Sequence, residues 1–317
     1  MPRPYDIIAL GELNVDLLLN RIGGFPEVGK EIFAKDMTLT LGSSTAIFAA
    51  NAASLGAKVA FLGMVGRDNF GDLVRNSLAE RGVDTSLLIE SESAATGLTA
   101  ILNYGNDRAN VTYPGVMSKM GVKDIDPELL KKARHVHISS IFLQEQLHKD
   151  LLPIVKLVKE CGCTVSMDVQ WDPDEKWEFD YKAILPYVDV FLPNETEIQC
   201  LTGTDSVDKA LDVFGDSLNA AVVKMGTQGS LLVRKDGTRR ILPALLNQEV
   251  VDAIGAGDSF NAGFIYGYVK GLPLERCQEL GNLTGAINTT AAGGTGAFRT
   301  REDVERTACE RFGKTLD

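Results

Sequence analysis

The segment Val251-Asp252-Ala253-Ile254-Gly255-Ala256-Gly257-Asp258-Ser259-Phe260-Asn261-Ala262-Gly263 leads from a glycine turn through an aspartate into a run of helical character. Two glycines let the backbone turn tightly into a helix. The first amide hydrogens of that helix point outward and form an anion site that needs no side-chain charge. A carboxylate at Asp258 would then lie within reach of a bound phosphoryl group. It could accept the proton of an attacking hydroxyl while the amides stabilise negative charge on the transferred group. Taken alone, Gly-x-Gly-Asp is also compatible with a helix cap after a flexible turn.

Two other phosphate motifs fail on chemistry. Gly24-Phe25-Pro26-Glu27-Val28-Gly29-Lys30 matches the first seven positions of a P-loop. Glu31, however, stands where Ser or Thr must ligate magnesium, and the residues that follow read as extended. Gly255-Ala256-Gly257 opens like a dinucleotide fingerprint, yet the third glycine would fall at Phe260, and Gly11-Glu12-Leu13-Asn14 after the first strand lacks the pattern too.

The elements that must position this turn follow from periodicity. Asp6-Ile7-Ile8-Ala9-Leu10-Gly11 is a short apolar run of the kind buried in a parallel sheet. Residues 14–41 read as extended segments around Gly23-Gly24-Phe25-Pro26, with a strand expected at 32–41. Ser43 or Ser44 can cap a helix running to Gly56, followed by a strand at 59–62 and a helix at 69–81. Residues 96–102 and 108–113, flanking Tyr104-Gly105-Asn106-Asp107, read as a hairpin. Strands near 136–139, 164–168, 188–192 and 221–224 then alternate with helices such as 147–160 and 196–201, which implies a parallel sheet with helices on both faces. An antiparallel edge hairpin is expected at 229–234 and 239–242, and helices at 259–270, 274–291 and 301–311.

Composition narrows the function classes. A chain of 317 residues with 44% apolar residues can bury a large core, so one large domain with a smaller appendage is the natural expectation. With 43 acidic against 32 basic residues the formal charge is −11, which argues against a nucleic-acid partner. An anionic ligand would need locally placed donors or a metal. The N-terminus lacks the apolar core of a signal peptide and no apolar run approaches the ~18–20 residues of a membrane span, so no membrane partner and a cytoplasmic location are expected. Of five cysteines only Cys161 and Cys163 are close, with nothing nearby to complete a zinc site.

Over about 6–298 the chain resembles the ribokinase-like (PfkB) carbohydrate kinases. Their signature Asp-Thr-x-Gly-Ala-Gly-Asp differs from Asp252-Ala253-Ile254-Gly255-Ala256-Gly257-Asp258 mainly by Ala for Thr. The resemblance implies that Gly255, Ala256 and Gly257 form an anion hole and that Asp258 is the catalytic base. Gly11-Glu12-Leu13-Asn14-Val15-Asp16 resembles the first sugar-binding segment, which places Asn14 and Asp16 on the substrate, Asp16 taking two hydroxyls. Without that likeness Asp16 reads as a solvated turn residue. Asn194-Glu195-Thr196-Glu197 resembles an Asn-x-x-Glu motif that arranges magnesium and phosphate through water, a mode that suits a cation reluctant to lose its waters. An acidic helix start explains the same residues. Lys224-Met225-Gly226-Thr227-Gln228-Gly229 matches the strand and turn that hold the nucleotide, and Asn282 falls where members of the family contact adenosine.

Several positions depart from the family pattern. Its glycine pair appears as Gly42-Ser43-Ser44-Thr45-Ala46, with Gly42 and Ser43 kept as substrate-binding candidates, and Ile47 replaces a common asparagine. Gln170 and Asp172 replace the asparagine and arginine of an acid-sugar segment, so a carboxylated substrate loses a cationic clamp. Trp171 and Trp177 could stack on a sugar but are more simply core or rim residues. His137 reads as a packed or surface strand residue more readily than as a catalytic one.

The resemblance implies a three-layer α/β/α Rossmann-like ribokinase fold. Residues 1–13, 42–95 and 114–317 would form the α/β domain, and 14–41 with 96–113 a small β-sheet lid. The implied activity is ATP-dependent phosphorylation of a sugar hydroxyl with ATP and Mg2+, with a monovalent cation as a further candidate. A nucleoside kinase of the same fold and a catalytically silent ligand-binding relative are the alternatives. A lid with one apolar face would be buried by pairing two copies, so a homodimer through the lids is expected.

Overall fold

The computed structural model describes residues 3–104 and 107–316. Its strands in chain order are β1 (Tyr5–Leu10), β2 (Asn14–Asn20), β3 (Asp36–Leu41), β4 (Val59–Leu62), β5 (Met64–Gly66), β6 (Ile89–Ser91) and β7 (Gly97–Tyr104). They continue with β8 (Asp107–Tyr113), β9 (Ala133–Ser139), β10 (Thr164–Asp168), β11 (Val190–Phe191), β12 (Ala220–Lys224), β13 (Ser230–Arg234) and β14 (Arg239–Leu242). Gly105 and Asn106, at the centre of the expected hairpin turn, lie outside the described residues.

Eight strands form the main sheet in the order β14-β13-β12-β11-β10-β9-β1-β4. β12 through β4 run parallel, and β13 and β14 close one edge antiparallel. The reason is visible in β1, where Ile7, Ile8, Ala9 and Leu10 are all fully buried. Successive strand residues point to opposite faces, so an unbroken apolar run is stable only when both faces are covered. Ile8, Leu10, Val136 and Met167 pack against Ile154 and Val158 of the Leu151–Glu160 helix. Ile7, Ala9 and Phe61 pack on the other side with Phe48 of the Ser44–Ser54 helix and Phe264 of the Ala256–Val269 helix. The result is the expected three-layer α/β/α arrangement. From β1 the chain moves outward to β4, then returns to β9 on the other side of β1. Such a reversal opens a crevice beyond the carboxyl ends of the strands, where ligands of open α/β sheets bind.

A second sheet has the order β3-β2-β7-β8, with β2 and β7 parallel and the outer pairs antiparallel. Its register segregates chemistry by face. Leu17, Leu19, Met37, Leu39, Ala100 and Val111 are register partners on one side. Asn14, Asp16, Thr40, Thr99 and Thr112 lie on the other. The Asn69–Glu80 helix packs at the base of the sheet, where Val15 and Leu41 are buried with Val74. Towards the tip Met37 is 68% and Val111 65% exposed. The base of the apolar face is therefore covered by a helix of the same chain, and its tip alone is left for a second copy to bury.

Local differences from the expected elements have simple causes. The strand expected from Ile32 begins at Asp36, and Ile32 lies in the irregular segment before it. The single helix expected at 147–160 is two, Glu145–Lys149 and Leu151–Glu160. Pro153 has no N–H to return to the Lys149 carbonyl, so it suits the first turn of a new helix. The helix from Leu274 stops at Asn288, three residues early, and Val207–Phe214 adds a helix that was not anticipated.

Candidate active site

The glycine turn ends at the N-terminus of the Ala256–Val269 helix. Gly255 is left-handed, φ 75°, and a Cβ there would lie 2.6 Å from Gly294 Cα, so only glycine fits. Asp252 closes the turn from both ends, accepting from Ile254 N at 2.9 Å and from Gly293 N at 2.9 Å. Beneath it Asn51 donates to Ser259 Oγ (2.8 Å) and Gly294 O (2.9 Å), and Asn288 donates to Ile254 O (2.7 Å). Ile47 is 5% exposed and packs against Gly255 and Gly294. The residue that departs from the family pattern thus supports the turn. No side chain caps this helix. The Ala256 amide is engaged with Ala253 O at 3.2 Å, and a Cβ at Gly257 would lie 3.6 Å from Lys224 Nζ. An uncapped N-terminus beside an ammonium group is suited to an anion.

Around this turn three buried carboxylates converge. Asp168, at the end of β10, has Oδ2 2.5 Å from Lys224 Nζ at the end of β12 and also accepts from Asn261 and from Gln170 Nε2 (3.1 Å). The same Gln170 amide nitrogen donates to Asp258 Oδ1 at 2.9 Å, from a backbone at φ 61°. Burial, then the Asp168 charge, raises Asp258 well above the ordinary carboxylate range, while Lys224 opposes that rise. Glu197 sits one turn into the Glu195–Thr202 helix. It exchanges bonds with Asn194, accepting from Asn194 N (2.8 Å) and Nδ2 (2.6 Å) and donating its own N–H to Asn194 Oδ1 (2.8 Å). Burial and then Asp168 push Glu197 up to about 8. A backbone bridge pairs Asn194 with Lys224, so the β11 and β12 loops share one corner.

The β1–β2 connection approaches the same centre, since the Glu12 charge also raises Asp258. Glu12 is 1% exposed and accepts from Thr45 N (3.3 Å) and Thr45 Oγ1; burial pushes it up to about 7. Ser43, at φ 70°, caps the Ser44–Ser54 helix through Ala46 N (2.9 Å) and donates to Glu12 O (2.7 Å). Its hydroxyl holds the loop. Asn14 donates to Asp16 Oδ1 (3.0 Å) and Thr99 Oγ1 (3.1 Å). Burial pushes Asp16 up to about 6, with Asn14 and the Arg108 charge opposing. A Cβ at Gly42 would lie 2.4 Å from Asp16 Oδ1, so glycine is what admits that carboxylate.

On the far side of the turn lies a cavity of about 370 Å³ whose lining includes Lys224, Gly226, Gly229, Leu245, Phe260 and Asn282. Gly229 has φ 103°, and a Cβ there would lie 2.0 Å from Leu242 O. Asn282 lines the wall but spends its amide within the protein, donating to Leu242 O (3.2 Å) and Pro243 O (3.0 Å) and accepting from Ser230 (2.9 Å). The side chain holds the cavity's shape.

The structure thus gathers Asp258, Gly255, Ala256, Gly257, Lys224, Asn194 and Glu197 at one centre. Sequence reasoning missed Asp168 and Asn261 as partners of Lys224, and Thr99 as the support of Asn14. Asp168 ends a predicted strand, which was the available signal. Asp172 holds the backbone amides of Asp174, Lys176 and Trp177, as a turn residue. Trp171 packs edge-on against Trp177 at 5.2 Å, and His137 is buried and stacked on Phe48. No helix is long and apolar enough to cross a membrane, and no cluster of three metal-ligating side chains exists, among the described residues.

An α/β/α fold whose uncapped glycine turn faces a buried carboxylate has the parts that group transfer to or from an anion needs. The model of the pfkB family carbohydrate kinases matches residues 6–301, and the chain belongs to that family. It is an ATP-dependent carbohydrate kinase. An uncharacterised sugar kinase of Archaeoglobus fulgidus is 32% identical over 73% of this chain and 91% of its own. An ATP-dependent ribose-1-phosphate kinase of Halopiger xanaduensis is 30% identical, covering 96% of this chain and 99% of its own. The solved structure of a ribokinase from Thermotoga maritima superposes with a TM-score of 0.83 at 25% identity, over 95% of this chain and 98% of that one.

Proposed function

We propose that the sugar lies between the polar face of the β2–β7 sheet and the β1–β2 loop, with Asp258 as the base that activates the hydroxyl. The carrying observation is the uncapped glycine turn beside Asp258 and Lys224. ATP would place its base and ribose in the 370 Å³ cavity and its γ-phosphate at the turn. As the sugar oxygen attacks phosphorus, its proton passes to Asp258 and the bond to the β-phosphate oxygen breaks. The free amides of the first helical turn and Lys224 then meet the charge on the transferred oxygens. Gln170 ties one oxygen of Asp258. The other remains for the hydroxyl.

Asp168, Glu197 and Asp258 all act on one another electrostatically, and Lys224 opposes the rise of both Glu197 and Asp258. Among the described residues no N–H or hydroxyl donor reaches buried Asp168 Oδ1, and the Asp168 carboxylate raises Glu197. This surplus of negative charge fits Mg2+ bound with the nucleotide, with Glu197 and Asn194 holding it through water; the ion would neutralise phosphate charge. Asp252 accepts one backbone amide on each carboxylate oxygen, so a monovalent cation at this turn would share those oxygens with the amides or use neighbouring carbonyls.

Asp16 and Asn14 would hold the sugar hydroxyls, and the four-stranded sheet would act as a lid that excludes water. The absence of a cation at Gln170 and Asp172 favours a neutral sugar over a sugar acid. Two such lids packed by their bare apolar faces would make a homodimer, because Met37 and Val111 are otherwise left in water. A screen of neutral sugars, sugar acids, sugar phosphates and nucleosides for ADP release tests the substrate reading. Turnover confined to nucleosides would replace it with a nucleoside kinase.

A further inference from the structure

The nucleotide cavity has a polar end and an apolar end. Lys224 and Gly257 lie together at the glycine turn, Gly226 and Thr227 belong to the turn after β12, and Leu245, Leu246, Val250, Phe260 and Ala286 supply apolar wall. Of the lining side chains that could read a base edge, Asn247, Asn282 and Thr289 are already committed, and Thr227 stands on the exposed turn after β12. Asn282 makes the three bonds described above. Asn247 Nδ2 donates to Glu249 O (2.9 Å) and Thr289 Oγ1 (3.0 Å), and its Oδ1 accepts from Glu249 N (3.2 Å). Thr289 Oγ1 donates to Ala286 O (2.7 Å). Gly285 and Ala286 leave the slot flat, since a Cβ at Gly285 would already lie 3.3 Å from Ala256 O.

We propose that the site takes nucleoside triphosphates with little regard to the base, so that GTP serves as phosphoryl donor about as well as ATP. Recognition would come from the triphosphate at the turn and from stacking of any flat ring on the apolar walls. This rests on the cavity being the nucleotide site. The physical reason is that a pocket built to hydrogen-bond a ligand rejects the wrong partner by ~10⁴–10⁵-fold, whereas an apolar pocket discriminates by only ~10–200-fold. Adenine and guanine differ in edge chemistry and hardly in stacking area. Exchanging them therefore exposes no unpaired side chain here.

Titration calorimetry with the Mg2+ complexes of ADP and GDP tests this without knowledge of the sugar. The two affinities are expected within about tenfold of each other, and a wider gap in favour of ADP overturns the proposal by showing that the 244–250 backbone reads the base. Ala286→Phe, which fills the slot, should weaken both nucleotides at least about tenfold. If ADP binding is unmoved in a variant with wild-type melting behaviour, the base lies elsewhere and the cavity assignment itself falls. A selective wild type whose Ala286→Phe variant loses ADP leaves the cavity assignment standing and removes only the breadth of donors.

Discussion

Asp258 stands on a helix whose residues Ser259 to Ile265 are all buried, above a turn tied down by Asp252, Asn51 and Asn288. Asp16 stands on a strand of a four-stranded sheet whose opposite face is bare at its tip. The first carboxylate is fixed by packing on all sides and its pKa is driven well up by burial. The second is fixed mainly by Asn14 and by the space left at Gly42, and is pushed only to about 6. If Asp258 is the proposed base and Asp16 the proposed sugar clamp, a rigid base opposite a lightly held clamp would suit an enzyme that must hold its chemistry still while admitting and releasing substrate.

The sharpest way to break this comparison is Asp258→Asn. The amide keeps the shape and cannot take a proton, so kcat should fall by ~10²–10⁴-fold with ADP affinity within a few-fold of wild type. Retention of more than a tenth of wild-type kcat would refute the base. The raised pKa adds a sign: Asp258 must be ionised to act, so kcat should rise with pH along its acid limb.

Asp16→Ala should act on the other side of the comparison, costing ~2–4 kcal/mol in kcat/KM for the sugar as two hydroxyls lose their partner. Gly42→Ala should reproduce the loss, because its Cβ would lie 2.4 Å from Asp16 Oδ1. Unchanged sugar affinity in both variants would move the sugar site away from β2.

Between the two regions lies Glu12, whose folded pKa of about 7 exceeds its ordinary value. A carboxyl raised by folding binds its proton more tightly in the native state, so its stabilising contribution is complete below about pH 4.5 and lost as pH climbs through 7. Glu12→Gln should therefore match wild type in acid and gain on it by up to ~3 kcal/mol above neutrality. Thermal melts between pH 5 and 8.5 would show the curves diverging; parallel curves would mean that Glu12 stays ionised in the fold.

The smallest effect is a twofold one. Light scattering at micromolar concentration should give about double the 34.3 kDa chain mass, and Leu19→Lys should return it to the monomer value. A wild-type mass of one chain would leave the apolar face without the proposed partner. A dimer indifferent to Leu19→Lys would place the interface elsewhere.

Legibility followed chain locality. The strand at Val59–Leu62, the Asn-x-x-Glu helix start and the glycine turn each arise from residues a few positions apart, and periodicity and turn chemistry read them directly. The strand expected from Ile32 failed because a β-prone run without a partner stays irregular, and pairing to β2 begins only at Asp36. From the sequence Ile47 read only as a replacement of a common asparagine. Packed against Gly255 and Gly294, over 200 residues away, it is the support of the anion turn.

The amino-acid sequence by itself determined the α/β/α class, because apolar runs alternating with helical periods have few other stable burials. It also determined the turn at 255–258, because glycines at that spacing dictate backbone shape. Tertiary structure alone decided which charges meet. Asp168 and Lys224 are 56 residues apart and Asp168 and Asn261 are 93 apart, yet each pair is in hydrogen-bond contact. Nothing local encodes such a pairing. It exists because the sheet order brings the carboxyl ends of β10 and β12 to the same corner as the Ala256–Val269 helix, and there burial forces each charge to find a partner.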